Sequence, residues 1–361
     1  MSFGRLVNRV WRENILFSIL IELTYRCNLD CFFCYNDLNL QGRPLDEQQY
    51  FDLLDELAQL QVLNLTLSGG EPLAHPSFFR IGARARELGF LVRVKSNGHA
   101  LGERLAARLQ REVDPFVIDI SLHGARAQTH DRQTRVSGSF DRLMRNLERM
   151  TERGMRLKLN AILTAWNEVE MEEMYTLADA LNIPLSMDPT VTPRDDGDAT
   201  PVHIRPSAEA VKRLFDIRAR RAPERFRPAF ASRENAPLPS AGTDTCDGAD
   251  GASAEKHCGA GSSALAIDPV GNVYPCVQWR RQLGNLHRQS ITELWCSAGA
   301  LTPVRELGPR IKHMVEGLGE AARHAAFCPG LAELESGSPL QLYPAAQEKL
   351  DIVGKLLKQA R

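Results

Sequence analysis

The sequence lacks a net charge and a long apolar run. Its 361 residues hold 44 Lys and Arg against 45 Asp and Glu, a formal charge of -1. A chain without a basic excess has no electrostatic footprint for nucleic acid, so we expect no nucleic-acid partner. The apolar stretch at 15–23 contains Ser18 and Glu22 and is far shorter than the ~20 residues that span a bilayer. We therefore expect no membrane partner either.

An export signal is also lacking, because no small-residue cleavage site follows this stretch before the first cysteine. We therefore expect a cytoplasmic protein whose eight cysteines are thiols rather than disulfides. With 43% hydrophobic residues the chain has enough apolar material for a core. Its length indicates two domains, or one large domain with an appendage.

Cysteine is absent from residues 35–245, and this gap divides the cysteines into two groups. Cys27, Cys31 and Cys34 form the first group, and the other five cysteines lie within 246–328. Two groups so far apart in the chain predict two separate sites.

The gap itself alternates between apolar runs and segments of helical periodicity. The predicted strands are 18–24, 62–67, 90–95, 116–121, 157–163 and 183–187. The predicted helices are 46–60, 77–88, 102–111, 139–153 and 167–181. This alternation is typical of an α/β fold with parallel strands and right-handed crossovers.

Six strands are fewer than the eight of a closed TIM barrel. We therefore predict a partial (β/α)6 TIM-like barrel in residues 1–190. A connector with one charged helix near 207–221 would occupy 191–245. A small cysteine-containing auxiliary domain, with a β-hairpin at 267–276 and helices, would occupy 246–361.

Polar or glycine-rich residues follow four of the predicted strands. The first cysteine group follows strand one, and residues 68–72, 96–98 and 121–124 follow the next three. Because chemistry in parallel α/β folds gathers beyond the carboxyl ends of the strands, these segments predict one shared site.

The spacing Cys27-x3-Cys31-x2-Cys34 places three thiols in one short loop. Soft thiolate ligands favour zinc or an iron–sulfur cluster. A structural zinc site needs four ligands, and the next histidine is only His75. A 4Fe–4S cluster held by three cysteines would leave one iron open for another ligand.

The cysteines lie within LTYRCNLDCFFC at 23–34, which resembles the signature of the radical S-adenosylmethionine (SAM) enzymes. The segment SGGEP at 68–72 resembles that family's glycine-rich SAM-binding motif. The resemblance implies that the open iron binds SAM and that the reduced cluster cleaves it to a 5′-deoxyadenosyl radical, which abstracts hydrogen from a substrate. Cys27, Cys31 and Cys34 would then be the catalytic ligands.

The resemblance also implies roles for the glycine-rich motif and one aromatic residue. Gly69 and Gly70 would let the backbone approach the methionine end of SAM, where no Cβ fits. Glu71, followed by Pro72, would accept a hydrogen bond from the SAM amino group or from a backbone donor. Phe33 would pack near the adenine.

Four other residues complete the implied SAM site. Asn97 and Ser121 would bond the ribose or the carboxylate, with ordinary turn chemistry as the alternative. Arg135 would pair with the carboxylate of SAM, or remain a solvated loop arginine. Asn160, near the end of strand five, is a weaker candidate.

The second cysteine group has spacings too long for an ordinary zinc finger, Cys246-x11-Cys258-x17-Cys276 followed by Cys328. The segment resembles the SPASM or twitch extension of radical SAM enzymes, which binds additional iron–sulfur clusters. Since only Cys328 remains where the extension carries a dense cysteine group, we expect one auxiliary 4Fe–4S cluster. Cys246 is either its fourth ligand or a free thiol.

Two further residues near this group are interpreted separately. His257 is an alternative fourth ligand if Cys246 does not bind. Cys296, beside Trp295 on a predicted helix, is expected to be a packing cysteine.

Many relatives with this extension modify ribosomally made peptides, so the resemblance implies a peptide substrate that is crosslinked or oxidised. Only 26 residues precede Cys27, so a leader-binding domain would be a separate protein. An electron donor such as flavodoxin or ferredoxin would reduce the cluster. The alternatives are a radical SAM dehydrogenase or other enzyme acting on a small or porphyrin-type molecule, and a non-catalytic zinc-binding scaffold.

Overall fold

The computed structural model describes residues 3–221, 256–297, 299–325 and 327–359. The strands are β1 (Ser18–Glu22), β2 (Asn64–Ser68), β3 (Leu91–Ser96), β4 (Val117–Ser121), β5 (Leu157–Ile162), β6 (Leu185–Asp188), β7 (Ala264–Ile267), β8 (Asn272–Tyr274) and β9 (Gly284–Asn285). The helices of the first half are α1 (Phe3–Arg12), α2 (Glu47–Gln59), α3 (Phe78–Glu87), α4 (Glu103–Glu112), α5 (Ala127–Thr134), α6 (Ser139–Glu152) and α7 (Met171–Ala180). Those that follow are α8 (Ala208–Arg221), α9 (Ile291–Cys296), α10 (Leu301–Gly317), α11 (Ala322–Ala325), α12 (Pro329–Ser336) and α13 (Pro344–Gln359).

The described strands form one nine-stranded sheet in the order β6-β5-β4-β3-β2-β1-β7-β8-β9. Strands β1 to β6 pair in parallel with their neighbours, as the alternating pattern predicts. The predicted α/β class and open, partial barrel are therefore confirmed. Apolar side chains such as Ile19, Leu65 and Leu159 are fully buried between this sheet and the helices.

The predicted hairpin is present, but its first strand joins the barrel sheet. Strand β7 pairs in parallel with β1, with Ser18 opposite Ala264, and β8 then pairs antiparallel with β7. Without β7, the edge of β1 that faces away from β2 would expose a row of backbone donors and acceptors. Pairing with β7 satisfies these groups. The auxiliary segment is thus continuous with the barrel sheet rather than attached beside it.

Helix α2 shows why the helical pattern could be recognised locally. The carboxylate of Asp46 accepts from the Gln49 backbone N–H at 2.9 Å, and the Gln49 side chain accepts from the Asp46 N–H at 3.1 Å. This capping box satisfies backbone donors at the start of the helix. The buried face contains Tyr50, Leu53, Leu54 and Leu57.

Several helices follow β6 and return to the barrel. The predicted charged helix is α8, and the C-terminal helix α13 packs against it through Val211, Phe215, Ile352 and Val353. This packing brings the end of the described chain back to the side of the barrel near β6. No described helix is long and apolar enough to cross a membrane.

Candidate active site

The first cysteine group lies in the loop after β1, at the carboxyl edge of the parallel strands. Cys27 is exposed, and Cys31 and Cys34 are partly buried. All three line one cavity of about 840 Å³. Burial raises the pKa of each thiol, so the thiolate forms would need a nearby positive centre.

Two other segments hold this loop in place. The Phe32 N–H donates to the carbonyl of Gln133 in α5 at 3.1 Å. On the opposite side, the guanidinium of Arg194 donates to the Cys34 carbonyl at 2.9 Å. The backbone of the loop is therefore held by a backbone contact from the barrel and by a side-chain contact from the connector after β6.

Gly69 and Gly70 pack against the backbone of the cysteine loop. A Cβ at Gly69, where φ is +134°, would lie 2.2 Å from the Thr24 carbonyl oxygen. A Cβ at Gly70 would lie 2.6 Å from the Arg26 carbonyl oxygen, and the Gly70 N–H donates to the Thr24 carbonyl at 2.6 Å. Both glycines also line the cavity. Their requirement for glycine thus comes first from contact with the cysteine loop, whereas the sequence motif alone predicts that it comes from contact with the cofactor.

Glu71 lies behind the cavity wall and is 2% exposed. Its carboxylate accepts from the Ser96 hydroxyl at 3.0 and 3.1 Å, from the Asn97 N–H at 2.9 Å and from the Leu73 N–H at 3.2 Å. Burial raises its pKa to about 7. The sequence allowed Glu71 to accept either from the SAM amino group or from a backbone donor, and the structure shows it accepting from backbone N–H groups. Pro72 is buried beside it and begins a short 3-10 helix.

Asn97 connects this turn to the first cysteine. Its side-chain amide donates to Asn28 Oδ1 at 2.8 Å and lies 3.6 Å from Cys27 Sγ. Asn97 also lines the cavity. Glu71 therefore acts through Asn97 to position the edge of the cysteine loop.

Ser121, Asn160 and Phe33 all line the cavity, as the strand-end argument predicts. The Asn160 amide donates to Asp119 at 3.0 Å. The Phe33 ring packs edge-on against His123, with the ring centres 4.7 Å apart. His123 is 5% exposed and lines the same wall, although sequence analysis did not single it out as a candidate.

Of the two alternatives for Arg135, its position in the structure agrees with the solvated arginine. It ends helix α5 in the left-handed region, with φ of 56°, and forms an ion pair with Asp30 at 3.2 Å. Its guanidinium stacks over the Phe32 ring at 4.8 Å. The side chain lies outside the cavity wall, because helix α5, which the sequence pattern did not reveal, turns this segment away.

The second cysteine group reaches the same cavity through Cys328. Cys258 and Cys276 flank the β7–β8 hairpin. Both lie close enough to Cys328 for their charges to raise the pKa of its thiol, and Cys328 lines the cavity. A Cβ at Gly330 would lie 2.3 Å from the Gln278 carbonyl oxygen, so helix α12 approaches the hairpin closely at this glycine. Burial raises the pKa of all three thiols, to about 11 for Cys328.

The remaining candidates of this region do not supply a fourth ligand among the described residues. His257 Nε2 bonds the Phe327 carbonyl oxygen at 2.8 Å. Cys246 lies outside the described residues. Cys296 is exposed, which contradicts the packing role, and its disulfide bond is an exception to the expected thiols.

A buried ionic network joins the two cysteine groups. Glu22 in β1 is fully buried and accepts from the hydroxyls of Tyr25 and Tyr35 at 2.9 and 3.0 Å. Arg280, four residues after Cys276, donates to both Glu22 oxygens at 3.0 and 3.2 Å and pairs with Asp195 at 2.7 Å. This network is not predicted from the sequence. The signal was a single acidic residue within the apolar strand SILIE.

Comparison with known proteins decides the family. The model of the radical SAM superfamily matches residues 21–178, and that of the SPASM iron–sulfur cluster-binding domain matches residues 258–314. The mycofactocin maturase MftC of Mycobacterium ulcerans is 30% identical over 293 residues, which cover 79% of this chain and 76% of the relative. The chain belongs to the radical SAM superfamily.

Other similar proteins within the superfamily differ in coverage. MftC of Mycobacterium tuberculosis is 32% identical over 71% of this chain, and the match spans only 63% of that relative. The PqqA peptide cyclase of Ruegeria pomeroyi is 36% identical over 45% of this chain and 43% of its own length. The AdoMet-dependent heme synthase of Methanosarcina barkeri is 26% identical over 90% of this chain and 94% of its own length.

Solved structures show the same fold. The chain aligns with anSMEcpe carrying AdoMet and the Cp18Cys peptide with a TM-score of 0.63 and 17% identity, covering 95% of this chain and 98% of the other. It aligns with Streptococcus suis SuiB bound to the precursor peptide SuiA with a TM-score of 0.61 and 15% identity, covering 82% and 69%.

A radical SAM domain binds a 4Fe–4S cluster and SAM, and a SPASM domain binds auxiliary iron–sulfur clusters. The described residues fit these groups. No three described Cys, His, Asp or Glu side chains converge tightly enough for a single metal ion. Each cysteine of a 4Fe–4S cluster binds a different iron, so a wider spacing around one cavity suits a cluster better than zinc.

Proposed function

We propose that this protein is a radical SAM enzyme that modifies a ribosomally made peptide in the cytoplasm, by crosslinking or oxidation. The names of the MftC and PqqA cyclase relatives, a maturase and a peptide cyclase, support this proposal. One observation carries it: the three cysteines of the first group and Cys328 of the second line a single cavity large enough for SAM and part of a second molecule.

Within this proposal Cys27, Cys31 and Cys34 hold the SAM-binding cluster. Cys258, Cys276 and Cys328 hold one auxiliary cluster, with Cys246 as its fourth ligand. When bound, the cluster and SAM supply one-electron chemistry that removes a hydrogen atom from the substrate. Of the other expected SAM-site residues, Phe33, Gly69, Gly70, Asn97, Ser121 and Asn160 lie on the cavity wall.

The protein's own contribution is position and exclusion of water. Asn97 orients Cys27 through its amide, and the Phe33 and His123 rings close the wall beside Cys34. Such a packed wall protects a reactive intermediate from side reactions. We further propose a separate leader-binding protein and a flavodoxin or ferredoxin as electron donor, and a functional division near residues 190 and 246.

The first experiment is anaerobic reconstitution of the holoenzyme with iron, sulfide and a reductant, followed by an assay for 5′-deoxyadenosine. We expect release of this product by the wild type and its loss in the C27A/C31A/C34A triple variant. The matched control is C296A, which removes a cysteine that is not among the proposed ligands of either cluster and should retain cleavage. Cleavage retained by the triple variant would refute the assignment of the first cluster.

The auxiliary cluster is tested by iron and sulfide analysis. The C258A/C276A variant should lose about four iron atoms per chain, the content of one 4Fe–4S cluster. The C246A variant tests the fourth ligand, because a ligand should alter the electron paramagnetic resonance spectrum of the reduced auxiliary cluster. An unchanged iron content in C258A/C276A would contradict the proposed ligands.

A second candidate function has its own support. The heme synthase relative matches over 90% of this chain and 94% of its length, a far more complete match than that of the PqqA cyclase. This favours a small or porphyrin-type substrate. Co-expression with precursor peptides encoded nearby, followed by mass spectrometry, distinguishes the two, since the peptide proposal requires a mass change and the porphyrin alternative predicts none.

A further inference from the structure

One lobe of the cavity is built by elements that are distant in sequence from the SAM motifs. It lies where the end of β6 meets helix α8, the segment around Cys328 and the first turns of α13. The side chains on this part of the wall are those of Asp188, Thr190, Phe215, Arg218, Phe327 and Lys349.

Lys349 is the least expected member of this wall. It lies in α13 and is only 8% exposed. Its ammonium donates one hydrogen bond, to Thr190 Oγ1 at 2.6 Å. An ammonium has three donors, and among the described residues no carboxylate lies within ion-pair distance of this one. Burial accordingly lowers the pKa of Lys349.

The charged groups that face Lys349 are Asp188, Arg218, Arg205 and the thiol of Cys328, and none of them forms an ion pair with it among the described residues. Arg218 donates to the Met187 carbonyl and has no carboxylate partner among the described residues. Arg205 is neutralised by Glu335 at 2.6 Å. Asp188 raises the pKa of Lys349 through charge, and one of its oxygens already accepts from the Thr190 N–H at 2.9 Å.

A buried, unpaired ammonium is costly for folding, so its position inside a cavity calls for an anion. The geometry points to Lys349, assisted by Arg218, as a carboxylate-binding subsite that orients the substrate between the two cysteine groups. The aromatic rings of Phe215 and Phe327 on the same wall favour an apolar group next to that carboxylate. The inference deepens the proposed function and rests on it, since it assigns this subsite to that function's substrate.

The carboxylate could come from a peptide or from a porphyrin propionate, and binding experiments on the reconstituted holoenzyme separate the sources. The probe is N-acetyl-4-fluorophenylalanine, observed by fluorine NMR, and its uncharged matched ligand is the corresponding carboxamide. We expect the acid to bind about 10-fold more tightly or better, as for a hydrogen bond to a charged group. N-acetylglutamic acid diamide reports on a side-chain carboxylate, and displacement of the acid by mesoporphyrin reports on propionates.

Variants on helix α13 provide the matched comparison. K349M should abolish the preference for the acid, and K349R should keep part of it. K355M makes the same charge change at an exposed position of the same helix and should behave as the wild type. Because K349M removes a poorly paired buried charge, its melting temperature should equal or exceed that of the wild type, which separates lost binding from lost folding.

The outcomes also separate this inference from the proposed function. If no peptide is modified but the acid still binds through Lys349, the peptide assignment fails and the subsite stands. If a peptide is modified and K349M leaves its KM unchanged, the subsite is refuted and the function stands. Equal affinity of wild type for the acid and the amide, or an equal effect of K355M, would also overturn the inference.

Discussion

Replacing Arg280 with methionine tests whether the buried ionic network holds the two cysteine groups together. Arg280 has 15% of its side chain exposed, and its partner Glu22 has none. The substitution keeps apolar bulk between the rings of Tyr35 and Tyr274 but leaves two acidic groups without their cation. The perturbation is therefore mainly electrostatic.

The size of the effect follows from the contacts. Removing one partner of a buried ion pair costs about 3–5 kcal/mol, because the other charge stays buried and uncompensated. Glu22 keeps two tyrosine hydroxyl donors, which lowers the cost, whereas Asp195 loses its partner as well, which raises it. At ~2.1 cal/mol/K of unfolding entropy per residue, this cost corresponds to a fall of about 4–7 °C in melting temperature.

The assay is thermal unfolding followed by circular dichroism, under anaerobic conditions and without added metal. The neighbouring Arg281 is the matched control, because it pairs with Glu333 at 2.6 Å with 37% of its own side chain exposed. R281M should cost less than about 1 kcal/mol, as for surface pairs. The triple variant E22Q/D195N/R280M should recover most of the loss. Equal shifts for R280M and R281M, or no recovery in the triple variant, would refute the reasoning.

Three further predictions concern the wall of the site. G70A should destabilise the fold by about 2 kcal/mol or more, because its Cβ would overlap a loop carbonyl. The control G317A places its Cβ where no atom lies within 4 Å and should stabilise helix α10 by about 0.5–1 kcal/mol. Similar melting temperatures for the two variants would contradict this prediction. In urea unfolding, E71A should lower the free energy of unfolding by about 1–3 kcal/mol for each buried donor that it leaves unsatisfied. The exposed control E87A should lower it by less than about 0.5 kcal/mol. An equal loss in the two variants would show that the Glu71 contacts are unimportant. Burial lowers the pKa of His123 to about 3, so between pH 6.5 and 3 the unfolded chain binds a proton that the folded chain does not. The free energy of unfolding should therefore fall as the pH is lowered through this range, by up to about 1.4 kcal/mol per pH unit. H123F should reduce that slope, and an unchanged slope would exclude His123 as its source.

Much of the barrel could be predicted from the sequence because its signals are local. Apolar runs and helical periodicity placed six strands and five helices to within a few residues, and the Gly-Asn turn placed the β7–β8 hairpin. Helix α5 was missed because it is short and has little apolar periodicity. Without this helix the two alternatives for Arg135 could not be separated, since the direction of that side chain depends on the left-handed end of the helix.

In the candidate site, too, local signals could be predicted from the sequence and contacts between distant residues could not. Short spacing placed Cys27, Cys31 and Cys34 in one loop, and the strand-end rule brought Asn97 and Ser121 to the same cavity. Glu71 was recognised as part of a motif, but its partners were not, because Ser96 is 25 residues away and only the fold makes them neighbours.

The sequence by itself determined the parallel α/β class and the existence of two cysteine groups, since periodicity and spacing along the chain are sufficient evidence for both. Only the tertiary structure decided that β7 completes the edge at β1, that Arg280 pairs with Glu22 across 258 residues, and that Lys349 reaches the wall shared with Cys328. The physical reason is that backbone pairing, charge compensation and cavity shape depend on which distant segments pack together, and no local pattern specifies that choice.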